Sequence, residues 1–192
     1  MTHPGSATKA LSPNQLEKQQ QIIEAARVVL ARDGLAGCTA RAVADASPLT
    51  KSAIHYYFAD MDDLVDRAMA GHIDAFVRTL RTAADKHEQP ADRFWAVVRD
   101  YLNTFQERPS VATLWFGYWI SATTKNRLAA IESMHSTVTA IFTELLAAVE
   151  VDNPARRADA LFSYLLGTVV REAVAPRPFR TLQSQITEIC DL

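Results

Sequence analysis

The chain has 192 residues, of which 48% are hydrophobic and 22% are charged, and its formal net charge is −2. This balance is typical of a folded protein with one large or two small domains, and it excludes a disordered chain. The near-neutral charge argues against non-specific nucleic-acid binding. The absence of an apolar run of about 18–20 residues excludes a membrane-spanning helix.

The polar start of the sequence lacks the apolar core of a signal peptide, so we expect a cytoplasmic protein. Residues 1–11 are small and polar, and we predict a flexible tail there. Ser12, Pro13 and Gln15 then give three agreeing signals for the start of a helix: a cap, a proline at the first position and a capping-box partner. Apolar residues follow at helical spacing, and Gly34 is suited to end the helix. We expect one buried face on this helix, formed by Leu16, Ile22, Ile23, Ala26, Val29 and Leu30.

Residues 39–63 have the pattern of two short helices joined by a tight turn. The first helix fits residues 40–47 and the second fits residues 51–58, with Thr39 and Thr50 as their N-caps. A helix of about two turns is marginal alone in water, so packing by inward residues must stabilise it. The outer face suits a DNA major groove, although an ordinary helical hairpin with a solvated face remains the alternative. This polar and aromatic face consists of Arg41, Lys51, Ser52, His55, Tyr56 and Tyr57.

Helical periodicity continues to the end of the chain, and no stretch alternates with the period of a strand. The sequence therefore predicts an all-α protein of about nine helices. We predict a domain organisation of a tail (1–11), a helix-turn-helix domain (12–60) and a helical-bundle domain for ligand binding and dimerisation (61–192). The remaining six helices are predicted at residues 60–84, 90–108, 110–124, 125–150, 155–175 and 181–192.

Residues 114–120, LWFGYWI, are apolar almost all round, which predicts a helix buried on every side. Aromatic side chains in a wide helical bundle favour an apolar ligand cavity, and ordinary core packing is the alternative. A nearby carboxylate such as Glu172 would add affinity for a cation, and aromatic faces attract quaternary ammonium groups. The predicted lining consists of Phe105, Trp115, Tyr118, Trp119, Met134, His135, Phe142, Tyr164 and Arg171.

Residues 20–68 resemble the TetR family of transcriptional regulators, as seen in IIEAARVVLARDGLAGCTARAVADASPLTKSAIHYYFADMDDLVDRAM. The resemblance implies a homodimeric repressor whose recognition helices enter successive major grooves of an operator. It also implies a C-terminal domain that binds a small effector, which we expect to be apolar or cationic. Two later segments, VATLWFGYWISATTKNRLAAIESMHS and LLGTVVREA, are similar to regulators of the choline and glycine-betaine type.

The resemblance also implies roles for individual residues of the helix-turn-helix. Thr39 and Thr50 match caps that meet phosphates, and Arg41 matches a position that reaches a base edge or a phosphate. Lys51 and Ser52 occupy the variable front of the recognition helix, where sequence preference is set. The aromatic positions of the family motif fall on His55, Tyr56 and Tyr57. Three residues depart from the motif: Pro48 replaces a Gly, His55 a Tyr and Met61 a Lys.

Fewer basic contacts release fewer counterions, so these departures predict a shallow salt dependence of DNA binding. The resemblance assigns the dimer interface to residues 155–175 and 181–192. Their apolar and small positions exceed what one bundle can bury: Leu161, Leu165, Thr168, Val169, Leu182, Ile186 and Ile189.

A helical-bundle metalloenzyme is the rival class, because Glu132-x-x-His135 has the spacing used by di-iron bundles. Such a site needs a second copy of the motif, and the sequence has none, so we predict no enzyme activity and no cofactor. A helical adaptor and a DNA-binding regulator that needs no ligand are two further candidate classes. Cys38 and Cys190 match no zinc or redox motif, which favours buried, inert thiols.

Overall fold

The computed structural model describes residues 11–192, and within this range it contains nine helices and no strand. The all-α prediction is thus confirmed, whereas residues 1–10 of the predicted tail lie outside the described part of the chain. The helices are α1 (Pro13–Gly37), α2 (Ala40–Asp45), α3 (Lys51–Tyr57), α4 (Met61–Asp85), α5 (Pro90–Gln106), α6 (Pro109–Thr124), α7 (Ala129–Ala148), α8 (Pro154–Val174) and α9 (Phe179–Cys190).

The start of α1 is the predicted capping box. The backbone N–H of Gln15 donates to Ser12 Oγ at 3.4 Å, and Gln15 Oε1 accepts from the Ser12 N–H at 2.9 Å. Gly34 leaves the helical conformation with a φ of 71°, as its position predicted, but one more turn carries the helix to Gly37. The prediction that Leu16 faces the core is wrong: it is exposed, because the buried stretch of α1 begins only at Ile22.

Contacts within the chain define two compact units, Met1–Ala68 and Met69–Leu192, and α4 contributes residues to both. The boundary that we placed after residue 60 stays a prediction. The first unit has a small core of aliphatic residues and one phenylalanine: Ile22, Ala26, Val29, Leu30, Val43, Ile54, Phe58 and Leu64. The second unit buries a larger core, centred on Phe94, Val97, Val98, Tyr101, Leu102, Tyr118, Val138, Phe142, Leu146, Leu161, Phe162 and Leu165.

The predicted helix over residues 125–150 begins four residues later than expected, at Ala129. Asn126 adopts a left-handed conformation with a φ of 55°. The N–H of Arg127 donates to the carbonyl of Ala122 at 2.8 Å, and the N–H of Asn126 donates to that of Thr123 at 3.1 Å. These two bonds form the Schellman arrangement that ends a helix. Residues 125–128 therefore end α6 instead of starting α7.

Both cysteines are free and buried. Burial raises the pKa of the Cys38 thiol to about 11, and it does the same for Cys190. A thiol is reactive only as its thiolate, so these pKa values keep both side chains unreactive near neutral pH. This agrees with the inert role predicted for them.

None of the helices described in the structure is both long enough and apolar enough to cross a membrane.

Candidate DNA-binding surface and ligand-binding residues

Side-chain caps fix the two short helices of the first unit at their N-termini. Thr39 Oγ1 accepts from the Ala42 N–H at 3.2 Å, and Thr50 Oγ1 accepts from the Ala53 N–H at 3.4 Å. Both predicted caps are confirmed. In the connecting turn, the hydroxyl of Ser47 accepts from the N–H of Leu49 at 3.0 Å. The turn is therefore held by local hydrogen bonds that need no glycine at Pro48.

Two buried side chains anchor the second short helix, α3. Ile54 lies within the helix, Phe58 is the residue that follows it, and both are almost fully buried. The guanidinium of Arg67 lies 5.5 Å from the centre of the Phe58 ring and binds Asp63 at 2.8 Å. This anchoring sets which residues of α3 point outward.

Most of the predicted DNA-binding side chains lie on the surface of the first unit. The Arg41 side chain is 89% exposed, and its contact with Asp45 at 4.0 Å is an exposed ion pair that constrains it little. Tyr57 is only half-exposed, since its ring packs edge-on against Tyr56 with 4.9 Å between centroids. The exposed members of the predicted set are Thr39, Arg41, Thr50, Lys51, Ser52, His55 and Tyr56.

The first helix contributes two contacts to α3 that the sequence did not reveal. Gln15 Nε2 donates to the hydroxyl of Tyr56 at 3.2 Å, and Gln19 Nε2 donates to the carbonyl oxygen of Tyr57 at 3.4 Å. Their spacing of four residues places Gln15 and Gln19 on one face of α1. That spacing does not indicate which part of the chain the face contacts.

The acidic start of α4 is largely occupied by local contacts. Asp60 Oδ1 accepts from the Asp63 N–H at 2.8 Å and thereby caps the helix. The carboxylate of Asp63 in turn accepts from the guanidinium of Arg67. Carboxylates in the first turn are also stabilised by the helix dipole. The acidic residues at this end of α4 therefore stabilise the start of the helix.

In the second unit, the predicted ligand-binding residues differ widely in exposure. Trp115, Tyr118, Met134 and Phe142 are buried. Phe105 and Tyr164 are half-buried, while Trp119, His135 and Arg171 are exposed.

Phe105 and Phe142 lie close to Tyr101, an aromatic residue that the sequence predicts on an apolar helix face but that is outside the predicted ligand lining. The Tyr101 ring lies 5.4 Å from that of Phe105 and 6.4 Å from that of Phe142. Trp115 and Tyr118 form a separate pair, with 6.2 Å between their ring centroids. Burial raises the pKa of Tyr101 far above the usual range of a tyrosine. The hydroxyl therefore stays protonated and polar inside an otherwise aromatic cluster.

The prediction that α6 is buried on every side is wrong. Trp119 is 41% exposed and Ile120 is 66% exposed, whereas Leu114, Trp115, Tyr118 and Ala122 form the buried face. A helix that packs on one side only buries a stripe of its surface.

Glu172 does not face the aromatic residues as a free carboxylate, contrary to our expectation. Its Oε1 accepts from Arg177 Nε at 2.7 Å, and its other oxygen accepts from the backbone N–H of Arg177. Gln185 Oε1 accepts from Arg177 Nη1 at 2.9 Å and from the hydroxyl of Tyr164 at 2.7 Å. This network ties α8 to α9, so Glu172 is not available to a cationic ligand.

Two cavities in the second unit are lined by residues that were not predicted to bind a ligand. One has a volume of about 210 Å³ and lies among Arg81, Ala84, Asp85, Pro90, Arg93, Ile141, Glu144, Leu145 and Ala148. The other, of about 300 Å³, is lined by Ala83, Lys86, His87, Asp92, Trp95, Ala96, Arg99 and Asp100.

The predicted surplus of apolar positions on α8 and α9 is wrong for most of the residues named. All of them except Ile189 are buried within the single chain, because these two helices pack on each other and on the rest of the bundle. The exposed large apolar residues of α8 are instead Val170 and Val174, one turn apart.

The Glu132-x-x-His135 pair is not part of a metal-binding cluster in the described part of the chain. Across residues 11–192, no group of three or more His, Cys, Asp or Glu side chains is placed to hold a metal ion. The imidazole of His135 lies 3.8 Å from Asp159 and packs edge-on against Phe162 at 5.1 Å.

Comparison with known families assigns both parts of the chain. Residues 22–68 match the model of bacterial regulatory proteins of the tetR family, and residues 90–191 match that of the BetI-type transcriptional repressor C-terminal domain. The second match alone covers more than half of the chain. The chain belongs to the TetR family of bacterial regulatory proteins. Both resemblances drawn from the sequence are confirmed, and this TetR-family protein is a DNA-binding transcriptional regulator.

Relatives and solved structures agree with this assignment. The TetR-family chain is 26% identical over 170 residues to the HTH-type transcriptional regulator BetI of Paraburkholderia xenovorans (strain LB400), covering 85% of this chain and 86% of that protein. It is 31% identical over 96 residues to the HTH-type nicotine-responsive transcriptional repressor HdnoR of Paenarthrobacter nicotinovorans, covering 46% and 50%. A TetR transcription regulator from Haloarcula marismortui ATCC 43049 shares the fold, with a TM-score of 0.74, 18% identity and coverage of 92% and 97%.

Proposed function

We propose that this protein is a homodimeric repressor that binds an operator through α3 and leaves it when a small molecule binds the second unit. The observation that carries the proposal is the exposed face of the capped, anchored α3, which presents Lys51, Ser52, His55 and Tyr56 together. A rigid helix with such an outer face fits the major groove. The names of the relatives, a regulator and a repressor, support this proposal.

Operator binding by the full chain is expected to depend only weakly on salt. Arg41 and Lys51 are the exposed basic residues of α2 and α3, so a dimer places about four cations near phosphates. Each neutralised phosphate contributes about −0.9 to the slope of log K against log [salt], so we expect about −4 and no steeper than about −6. The measurement is fluorescence anisotropy with a labelled duplex from upstream of the protein's own gene.

Lys51→Ala should make this slope shallower by about 2 per dimer. Lys86→Ala replaces an exposed residue of the second unit and should leave the slope unaltered. A slope much steeper than about −6, or the same slope for both variants, would contradict a DNA-binding face built mainly by α2 and α3.

The ligand is proposed to be apolar or cationic and to bind among the aromatic residues of the second unit. Support comes from the clustering of Trp115 with Tyr118 and from the name of the nicotine-responsive relative. Of the nine predicted residues, from Phe105 to Arg171, the buried and half-buried ones are the proposed ligand contacts, whereas the exposed Trp119, His135 and Arg171 are proposed to contribute little.

Two tryptophans of α6 provide a matched pair for testing this proposal. Trp115 is buried, whereas Trp119, one turn later, is partly exposed. For a ligand found by thermal shift, Trp115→Phe should weaken binding up to about tenfold, the scale of one aromatic contact. Trp119→Phe should change binding less than twofold. Equal, unchanged binding by both variants in calorimetric titration would exclude Trp115 from the site.

Exposed valines of α8 are proposed to lie in the dimer interface that the family implies. Val174 is 85% exposed and Val170 lies one turn before it, so both would be covered by a second copy of the chain. Val174→Asp would place a charge in that apolar contact. We expect a dimer for the wild type and a monomer for Val174→Asp in sedimentation at micromolar concentration. Val28→Asp, at an exposed valine of α1, is the control and should remain dimeric.

A further inference from the structure

We infer that Gln15 is a positioning residue that makes the hydroxyl of Tyr56 a hydrogen-bond donor to DNA. The inference rests on the proposed binding of operator DNA by α3. Gln15 lies before residues 22–68, the segment that matches the family model, so its role comes from the geometry of this chain.

Both ends of the Gln15 side-chain amide are engaged. Its Oε1 accepts from the backbone N–H of Ser12 at 2.9 Å, and its Nε2 donates to Tyr56 Oη at 3.2 Å. The two ends of an amide are often assigned only from their partners. Here the assignment is determined, because a backbone N–H can bond only to the oxygen and therefore leaves the nitrogen facing Tyr56.

This orientation decides what the Tyr56 hydroxyl can do. A phenol has one O–H donor and can also accept, while an amide nitrogen only donates. The bond from Gln15 therefore uses a lone pair of Tyr56 Oη and leaves the O–H proton free. Among residues 11–192, no side chain or carbonyl accepts that proton, and the Tyr56 side chain is 68% exposed.

The free O–H is consequently directed to an acceptor outside the chain. On DNA the possible acceptors are a phosphate oxygen, O6 or N7 of guanine, N7 of adenine and O4 of thymine. Accepting a bond from Gln15 also polarises the hydroxyl, which strengthens the bond that it donates. An amino group of cytosine or adenine is a donor and needs an acceptor. Gln15 already occupies one lone pair of Tyr56 Oη, so the hydroxyl is less suited to accept from such a group.

The geometry also holds the ring in place. Tyr56 is bounded on one side by the edge-on ring of Tyr57 and at its tip by Gln15. Gln19 holds the backbone at Tyr57 by its bond to the carbonyl oxygen. Two glutamines of α1 thus fix the end of α3, one through a side chain and one through the backbone. Because less side-chain freedom is left to lose on binding, affinity for DNA is higher.

A double-mutant cycle on the full chain tests the inference, with anisotropy of the labelled upstream duplex as the readout. Tyr56→Phe removes only the hydroxyl and should weaken binding at least about tenfold, because the proposed dimer then loses two hydrogen bonds to DNA. Gln15→Leu should weaken binding about three- to tenfold by releasing and depolarising that hydroxyl. The double variant should bind no more weakly than Tyr56→Phe, because Gln15 has no other route to the DNA.

Ser12→Ala provides the matched control. It removes the other half of the capping box, the bond from the Gln15 N–H to Ser12 Oγ, and leaves the Gln15 amide in contact with Tyr56. We expect its affinity for DNA to remain within twofold of the wild type. Thermal unfolding of every variant shows how much of any loss comes from the helix start itself.

The outcomes separate the inference from the proposed function. Losses that add in the double variant, an effect of Ser12→Ala equal to that of Gln15→Leu, or full binding by Tyr56→Phe would each overturn the role of Gln15 and leave operator binding intact. A wild-type chain that does not bind the duplex at all would overturn the proposed function, and the inference with it.

Discussion

Replacing Phe58 with alanine is expected to destabilise the DNA-binding unit strongly. Phe58 is 3% exposed at the end of α3, where Arg67 covers its ring. Truncation of a buried phenylalanine costs about 3–5 kcal/mol in free energy of unfolding. This is a large part of the roughly 5–15 kcal/mol that holds a whole domain together. Urea unfolding followed by circular dichroism should therefore show an early transition, and operator binding should be lost.

Tyr56→Ala is the matched control for Phe58→Ala, two residues away in the chain. Tyr56 is exposed, so its removal should change the free energy of unfolding by no more than about 0.5 kcal/mol. Operator binding should nevertheless weaken, because the side chain belongs to the proposed contact surface. We expect Tyr56→Ala to lower the affinity for the operator without lowering the free energy of unfolding. We expect Phe58→Ala to lower both. A stable Phe58→Ala variant would contradict the anchoring role assigned to that ring.

The helix starts of the first unit could be predicted because their determinants are local. Ser12, Thr39 and Thr50 each accept from a backbone N–H three residues later. Both partners of each bond therefore lie within one short sequence motif. Gly34 was predicted to end the first helix; its backbone does leave the helical conformation, but the helix resumes and ends at Gly37. The family resemblance followed from the order of such local signals.

Other features depend on contacts between distant residues, and these were missed. Gln15 and Tyr56 are 41 positions apart, and nothing near either residue indicates that they meet. The exposure of Trp119 and Ile120 likewise depends on how many neighbours pack on α6, which helical periodicity does not determine. Periodicity predicts which residues share a face, whereas burial depends on whether the fold covers that face.

The turn between α6 and α7 was missed for a different reason. Its signal, Asn126 in a left-handed conformation, is local but has no glycine or proline to mark it. Asparagine tolerates this conformation better than most residues, because its short side chain can bond locally. Without that cue, the predicted start of α7 fell four residues too early.

Removing the carboxylate of Glu172 is expected to destabilise the second unit and free the start of α9. The Glu172 side chain is 3% exposed and binds Arg177, which raises the pKa of that guanidinium further. Breaking a fully buried ion pair costs about 3–5 kcal/mol, because the remaining charge is left without a partner. Arg177 keeps 15% exposure and a bond to Gln185, so we expect about 2–3 kcal/mol for Glu172→Ala.

Two further variants distinguish the ion pair from a general effect on α8. Arg171→Ala changes an exposed neighbour of Glu172 and should alter the free energy of unfolding by no more than about 0.5 kcal/mol. Glu172→Leu combined with Arg177→Leu removes both charges and should recover most of the stability, since an apolar pair can replace a buried ion pair at little cost. Chemical unfolding of all three variants is the measurement. If the double variant were as unstable as Glu172→Ala, the loss would come from packing at α8 and α9 and not from an unpaired guanidinium.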